Sequence, residues 1–395
     1  MMKASGQPSL FEQATQVFDG WTDPTGMRVL CLYNRGDDAA EQIWETQYHH
    51  FRCFIEDGRK VVLSHGAVPD VGAAGYLLLD LATGETTHPF PAGLDVTEVN
   101  NDTQIACVLD RRPGRQRALL WDMRAACEVA SIRVNGWDLD SCSTLLSDGL
   151  RGIAFFSRGT PYDGPVRSRH YLLCADQPPR IVLDTDDCFC PHIQGCPTDP
   201  DLYVYDRWPS PARYVDQVMH LRKLDGTFDQ PVPLAEEAMR PATLGGARDH
   251  YLWTPDGNRI VSYLTPHAFE IGPDFNHYDL EWWLSATDWR TGEDLAAKYP
   301  PGRWGGHMQV TPDSRYIVCA GAPGFDNLFA VEIETLRHSW NEHIIASYPT
   351  TTAFSPRGPF AYPFVLPDQS GVIFNAGWPG EKHGVYLAEW PSELS

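Results

Sequence analysis

The chain has 395 residues, 43% of them hydrophobic and 12% aromatic, enough to close a full-sized core and too apolar for a disordered polymer. Its 31 Lys and Arg stand against 52 Asp and Glu, a formal charge of −21, so its long-range field repels nucleic-acid phosphates and anionic lipid and excludes both as expected partners. No apolar run nears the ~18 residues that a membrane span requires. The first 26 residues hold no signal-like apolar segment, so a cytoplasmic location is expected.

In chain order, short runs rich in Val, Ile, Leu, Tyr and Trp alternate with Gly, Pro, Asp and Asn, and no long stretch keeps a capped helical period. The chain is therefore predicted to be all-β. A strand over 27–33 comes first. The first full unit then has strands near 52–55, 61–63 and 76–79, with the turn Glu56-Asp57-Gly58 between the first two. The same kind of turn returns at Asn101-Asp102, Ser147-Asp148-Gly149, Asp199-Pro200-Asp201, Pro255-Asp256-Gly257, Pro312-Asp313-Ser314 and Pro367-Asp368-Gln369. The intervals, about 45 to 57 residues, suit a four-stranded propeller blade. A second turn closes the third strand at Ala82-Thr83-Gly84-Glu85, Leu224-Asp225-Gly226 and Arg290-Thr291-Gly292-Glu293. Gly tolerates positive φ there and Asp bonds its own backbone.

Seven turns predict a seven-bladed β-propeller, one domain over 27–395 behind an N-terminal extension of 1–26. The strand at 27–33 is expected to complete the last blade beside 385–387, closing the ring and removing its free edges. Ten cysteines without a leader read as reduced thiols. Cys188, Cys190 and Cys196 flank His192, but not at paired C-x-x-C spacing, and they are read as strand residues rather than zinc ligands.

In a propeller the innermost strands lead into these turns, so residues six or seven positions earlier meet at one mouth of the central channel. They are His50, Asp95, Ser141, His192, His250, His307 and Tyr362, with His49 beside the first and Asp249 beside the fifth. A lone imidazole there is most often a water-bonded channel residue. Four His among seven equivalent positions, from only 14 in the chain, form a set suited to metal ligation or proton transfer near neutral pH. Loops of the third and fourth units, expected on the same face, carry Arg158, Tyr162, Arg167, Arg169, Arg207 and Arg213, and Arg357 precedes the last inner strand. Arginines gathered in an acidic chain can hold a carboxylate bidentately. Trp282 and Trp283 are read as core. There is no G-x-S-x-G, H-E-x-x-H, P-loop or G-x-G-x-x-G, which removes support for the corresponding hydrolase, zincin and nucleotide-binding readings.

Several stretches resemble the oligogalacturonate lyase family, seven-bladed propellers related in fold to the propeller domain of TolB. They are Phe51-Arg52-Cys53-Phe54-Ile55-Glu56-Asp57-Gly58, Val215-Asp216, His250-Tyr251-Leu252-Trp253-Thr254-Pro255-Asp256-Gly257, and Tyr362-Pro363-Phe364 with Pro367-Asp368. By this resemblance His250 falls on the family's catalytic His and His307 on one of its manganese-binding histidines. The family's paired His of the last blade become Phe360 and Tyr362, its Gln ligand falls near Arg357, and its catalytic Arg becomes Val218, with Arg207 and Arg213 close by in sequence.

The resemblance and the inner-strand set imply a lyase that cleaves short uronate-containing oligosaccharides by β-elimination. His250 or His192 is expected as base, Tyr362 as acid, and Arg207 or Arg213 at the sugar carboxylate. His49, His50, His307, Arg167, Arg357 and Asp249 are expected to bind the acidic oligosaccharide. Arg and Tyr stand where the family has metal ligands, so no cofactor is predicted, with manganese or calcium kept as the alternative. Two other classes stand beside this one: a non-catalytic propeller that binds a sugar or protein, and a glycoside hydrolase using Asp95 or Asp249 with a second carboxylate. Nothing in the sequence sets an oligomeric state.

Overall fold

A computed structural model describes residues 7–34, 44–46, 52–65, 75–91, 93–112, 114–140, 143–159, 164–209, 218–232, 247–265, 282–300, 305–321, 327–347, 362–377 and 383–394. Its strands form seven antiparallel sheets, the blades of a β-propeller, each running outward in chain order from an inner strand except the last, whose outer strands come from the N-terminal segment. Blade 2 shows the plan: Leu94–Val99 is innermost, then Ile105–Asp110, Arg117–Asp122 and Cys127–Ile132. Blade 5 repeats it with Ala247–Trp253, Arg259–Thr265, Trp283–Asp288 and Asp294–Lys298, and blade 6 begins with Gly305–Val310.

The second strand of each blade is the most uniformly apolar, because it is covered on both faces by neighbouring blades. Ile105–Asp110 is buried at every position, and the hydrophobic clusters run between blades rather than within one. The repeated acidic turns work as local staples. The Oδ1 atoms of Asp148, Asp199, Asp256, Asp313 and Asp368 each accept the backbone N–H two residues on, at 3.0 Å. In blade 2 the acceptor is instead Asn100, which takes the N–H of Asp102 at 3.0 Å.

The ring closes as predicted. Arg28–Asn34 pairs antiparallel with His383–Glu389 in blade 7, and the Arg28 guanidinium grips Glu389 through two bonds of 2.7 and 2.6 Å. Gly20–Thr22 adds a fifth strand outside it, so part of the expected 1–26 extension belongs to the blade. The short helix Leu10–Ala14, started by a Ser9–Glu12 capping box, buries Leu10, Phe11 and Ala14 against blades 7 and 1. Its first amides donate to Asp368 Oδ2 at 2.9 Å and Ser370 Oγ at 3.1 Å.

Candidate active site

The inner strands are interrupted at matching places. In blade 5 the register slips between Asp249 and Leu252, in blade 6 between Gly305 and Met308, and in blade 2 between Val96 and Glu98. The inner strand of blade 4 breaks into Cys188–Phe189 and Gln194–Gly195, leaving His192 between the pieces. A bulge of this kind releases a residue from the ladder and re-aims its side chain. His192, His250 and Tyr362 carry φ values of 55°, 48° and 30°, in the left-handed region that residues with a Cβ enter at a cost of about 1 kcal/mol or more.

Three of these side chains form a continuous aromatic run across blades 5, 6 and 7. The His250 and His307 rings lie 5.0 Å apart edge to face, and the His307 and Tyr362 rings 4.2 Å apart. His307, in the middle, is buried, whereas His250 and Tyr362 keep partial exposure. Tyr263 backs His250 at 5.8 Å.

His192 joins from blade 4. Its Nδ1 lies 2.7 Å from Oδ2 of Asp206, a carboxylate with no exposed side-chain surface. A carboxylate so far from water is tolerable only when it is hydrogen-bonded, and an ionised Asp206 draws the proton of a neutral His192 to Nδ1. The Nε2 lone pair is then left as an acceptor. The neighbouring inner strand fixes the backbone: Tyr251 Oη donates to the His192 carbonyl at 2.6 Å, and Gln194 Nε2 returns a bond to the Tyr251 carbonyl at 2.5 Å. Asp206 was missed in the sequence because it sits on the second strand, one hairpin away from His192. Its signal was a carboxylate inside the otherwise buried run of Leu202–Pro209.

The arginines are placed differently from one another. Arg207 follows Asp206, so strand alternation sends its side chain to the other face of the blade, where Nε donates to Cys188 Sγ at 3.1 Å. Burial pushes the Cys188 thiol up despite Arg207, so that sulfur is a neutral, weak acceptor. Asp187 stands 3.8 Å from Nη2, and the Arg207 side chain remains 42% exposed. Arg167 and Arg169 both pair with Asp184, Arg167 also with Asp186, and both stack on Trp137, so their charges are already met on the outer part of blade 3. Arg158 ends the second strand of that blade and is exposed. Asp95 pairs with Arg111 at 3.2 Å, and burial still raises its pKa. Arg213, Arg357, His49, His50, Ser141 and Tyr162 lie outside the described residues, as does the side chain of Asp249.

Beyond the histidines, on the turn side, a cavity of about 380 Å³ opens among all seven inner strands, lined by Glu98, Thr144, Gln194, Leu252, Gln309 and Phe364 among others. The full ring is thus present, with imidazoles and a phenol at one end of its channel. An oligogalacturonate lyase solved in complex with manganese superposes with a TM-score of 0.73 at 18% identity, covering 96% of this chain and 97% of that one. The chain has the oligogalacturonate lyase fold. A second lyase of this name, from Vibrio parahaemolyticus, gives 0.71 at 16% identity over 96% and 98% of the two chains. Hydrazine synthase from Kuenenia stuttgartiensis gives 0.56 at 12% identity over 89% and 98%. No family model matches the chain, and neither does any curated protein.

The manganese in the first of these lyases raises the question of whether this chain's residues suit a metal. The His250 and His307 rings run on to the Tyr362 phenol, and among the described residues no group of three or more His, Cys, Asp or Glu is gathered for an ion. The donor set of the described residues does not fit a manganese centre. Cys190 and Cys196 are buried free thiols, and burial drives the Cys190 pKa far up, as expected of strand cysteines.

Proposed function

We propose that the chain is a lyase that cleaves short uronate-containing oligosaccharides by β-elimination at this mouth of the channel. The observation that carries the reading is the His192–Asp206 pair on blade 4 together with the His250–His307–Tyr362 run on blades 5 to 7. Similarity in fold to the oligogalacturonate lyases supports the reaction class.

Elimination across C4 and C5 of a uronate takes a weakly acidic proton from beside the carboxylate. A base must remove it, a cation must steady the enediolate that develops, and an acid must protonate the departing C4 oxygen. His192 is the base: Nε2 accepts the C5 proton while Asp206, the positioning residue, holds Nδ1–H and stabilises the imidazolium. The C5–H electron pair forms the C4–C5 double bond as the C4–O bond breaks, and Tyr362 donates its phenolic proton to the leaving oxygen. Arg207 offers its partly exposed guanidinium to the carboxylate, with Arg213 as a second donor. His250 and His307 orient the phenol and bind the sugar. The remaining expected contacts, from His49, His50, Arg357 and Asp249, stay part of this proposal as the outer binding residues, whereas Arg167 is engaged by Asp184 and Asp186 and drops out of it. The reaction occurs in the cytoplasm and needs no added cofactor.

Blades 4 and 7 are three places apart in a ring of seven, so in this proposal base and acid approach the sugar from different sides. This suits a uronate whose C5 hydrogen and C4 oxygen lie on opposite faces. Incubation with a panel of saturated oligouronides tests the proposal, with the conjugated product followed by ultraviolet absorbance and mass. An unsaturated uronyl product from at least one member is expected. No product, or a reducing sugar without a double bond, would count against it, the latter in favour of a glycosidase.

A further inference from the structure

Four of the chain's 31 Lys and Arg fall in eight residues, Asp110-Arg111-Arg112-Pro113-Gly114-Arg115-Gln116-Arg117, in a protein of net charge −21. We propose that Arg112, Arg115, Arg117 and Arg133 form a second anion-binding site on the outer part of blade 2, taking an oxyanion such as a carboxylate, sulfate or phosphate. These four arginines and Asp110 surround a hollow of about 260 Å³.

The site is built from within. Asp110 is fully buried at the end of its strand and receives Arg112 through Nε at 2.7 Å and Nη2 at 2.6 Å, with Arg117 Nε at 3.6 Å. The Arg112 hydrogen bonds hold this carboxylate below the usual range, so it stays charged and keeps two guanidiniums in place. Arg117 is fixed a second time by Glu128 at 2.6 Å. Gly93 forms the wall behind Arg112: a Cβ there would come within 3.2 Å of the Arg112 Cδ.

Two carboxylates therefore anchor two arginines and use up their charge. Arg115 and Arg133 are exposed and have no acidic partner among the described residues. The cluster thus carries two positive charges beyond its own acids, on guanidinium forks shaped for bidentate oxyanion contact. Neighbouring strands of the blade alternate in direction, so this hairpin and the end of Cys127–Ile132 emerge on the face where the inner strands begin, the face of His192 and His250. An acidic oligosaccharide leaving the channel mouth would present a remote carboxylate to it. That choice of occupant rests on the proposed lyase reading, whereas the anion site itself does not.

Calorimetric titration of the full chain at low salt tests the site, using inorganic phosphate, sulfate and a long saturated oligouronide. The comparison is with the double variant Arg115→Ala/Arg133→Ala, its folding checked by thermal melting. Saturable binding of at least one probe is expected, weakened about tenfold or more in the double variant and by added salt. It should persist in His192→Ala. Loss confined to the oligouronide assigns the site to the acidic chain, and loss of phosphate or sulfate binding assigns it to a free anion. No saturable binding of any probe, or equal affinities in both proteins, would overturn the proposal even if the enzyme is an active lyase.

Discussion

Blades 1 to 3 and blades 4 to 7 use the same backbone device for opposite ends. In blade 2 the bulge between Val96 and Glu98 turns Glu98 into a buried junction. One of its oxygens accepts from Arg52 of blade 1, and the other from Thr144 Oγ1 and the Leu145 amide of blade 3, both at 2.7 Å. Three blades are tied through one carboxylate that is only 4% exposed. In blades 4 to 7 the corresponding interruptions keep imidazoles and a phenol at the mouth, and the buried carboxylate, Asp206, serves a histidine rather than the next blade. A bulge supplies direction only; the side chain decides between cohesion and chemistry.

If that division holds, substitutions on the two arcs should fail differently. The largest effects belong to the chemical arc. His192→Ala and Tyr362→Phe should lower kcat on an oligouronide by roughly 10²–10⁴-fold with little change in melting temperature. Asp206→Asn, which favours the wrong His192 tautomer, should lower it by about 10³-fold or more. On the cohesive arc, Glu98→Ala should cost about 3 kcal/mol in denaturant unfolding, because it leaves Arg52 and a buried hydroxyl and amide without their acceptor. Activity per folded molecule should survive. Stability loss without effect on kcat for His192→Ala, or the reverse for Glu98→Ala, would break the comparison.

His170 shows what an imidazole does when it is only structural. It is completely buried, meets the Cys190 carbonyl at 2.8 Å, and burial lowers its pKa from 6.5 to about 3. Between those two values the unfolded chain binds a proton that the folded chain refuses, so stability falls as pH drops through this window and is unaffected by this group above it. The loss is on the order of a few kcal/mol at the acid end. Urea unfolding in steps from neutral pH downward should show it, and His170→Phe should flatten that slope. The smallest effect is expected at the stitch between blades 4 and 5: Tyr251→Phe removes the bond to the His192 carbonyl and should cost about 1 kcal/mol. Because this backbone sets the direction of His192, kcat should fall modestly while KM holds.

The fold was legible because its repeat is written in chemistry that local sequence cannot disguise. Asp148, Asp256, Asp313 and Asp368 bond amides two residues away, so each turn announces itself without tertiary context. The phase of His192, His250, His307 and Tyr362 within the units was readable for the same reason. Partners brought together across strands and between neighbouring blades were not. Asp206 is 14 residues from His192 and Glu98 is 46 from Arg52, and only the closed sheets bring them together. The arginines were grouped by loop, but pairing with Asp184 and Asp186 removes Arg167 and Arg169 from the free charge, which a sequence count cannot show.

The most direct test of the account is the rate of unsaturated product formation from an oligouronide carrying deuterium at C5, measured beside the protium substrate in the unaltered protein and in His192→Ala. A several-fold slowing by deuterium in the unaltered protein, with turnover nearly abolished in the variant, is the predicted result. Equal turnover by His192→Ala, or cleavage that leaves the C5 deuterium in place, would contradict it.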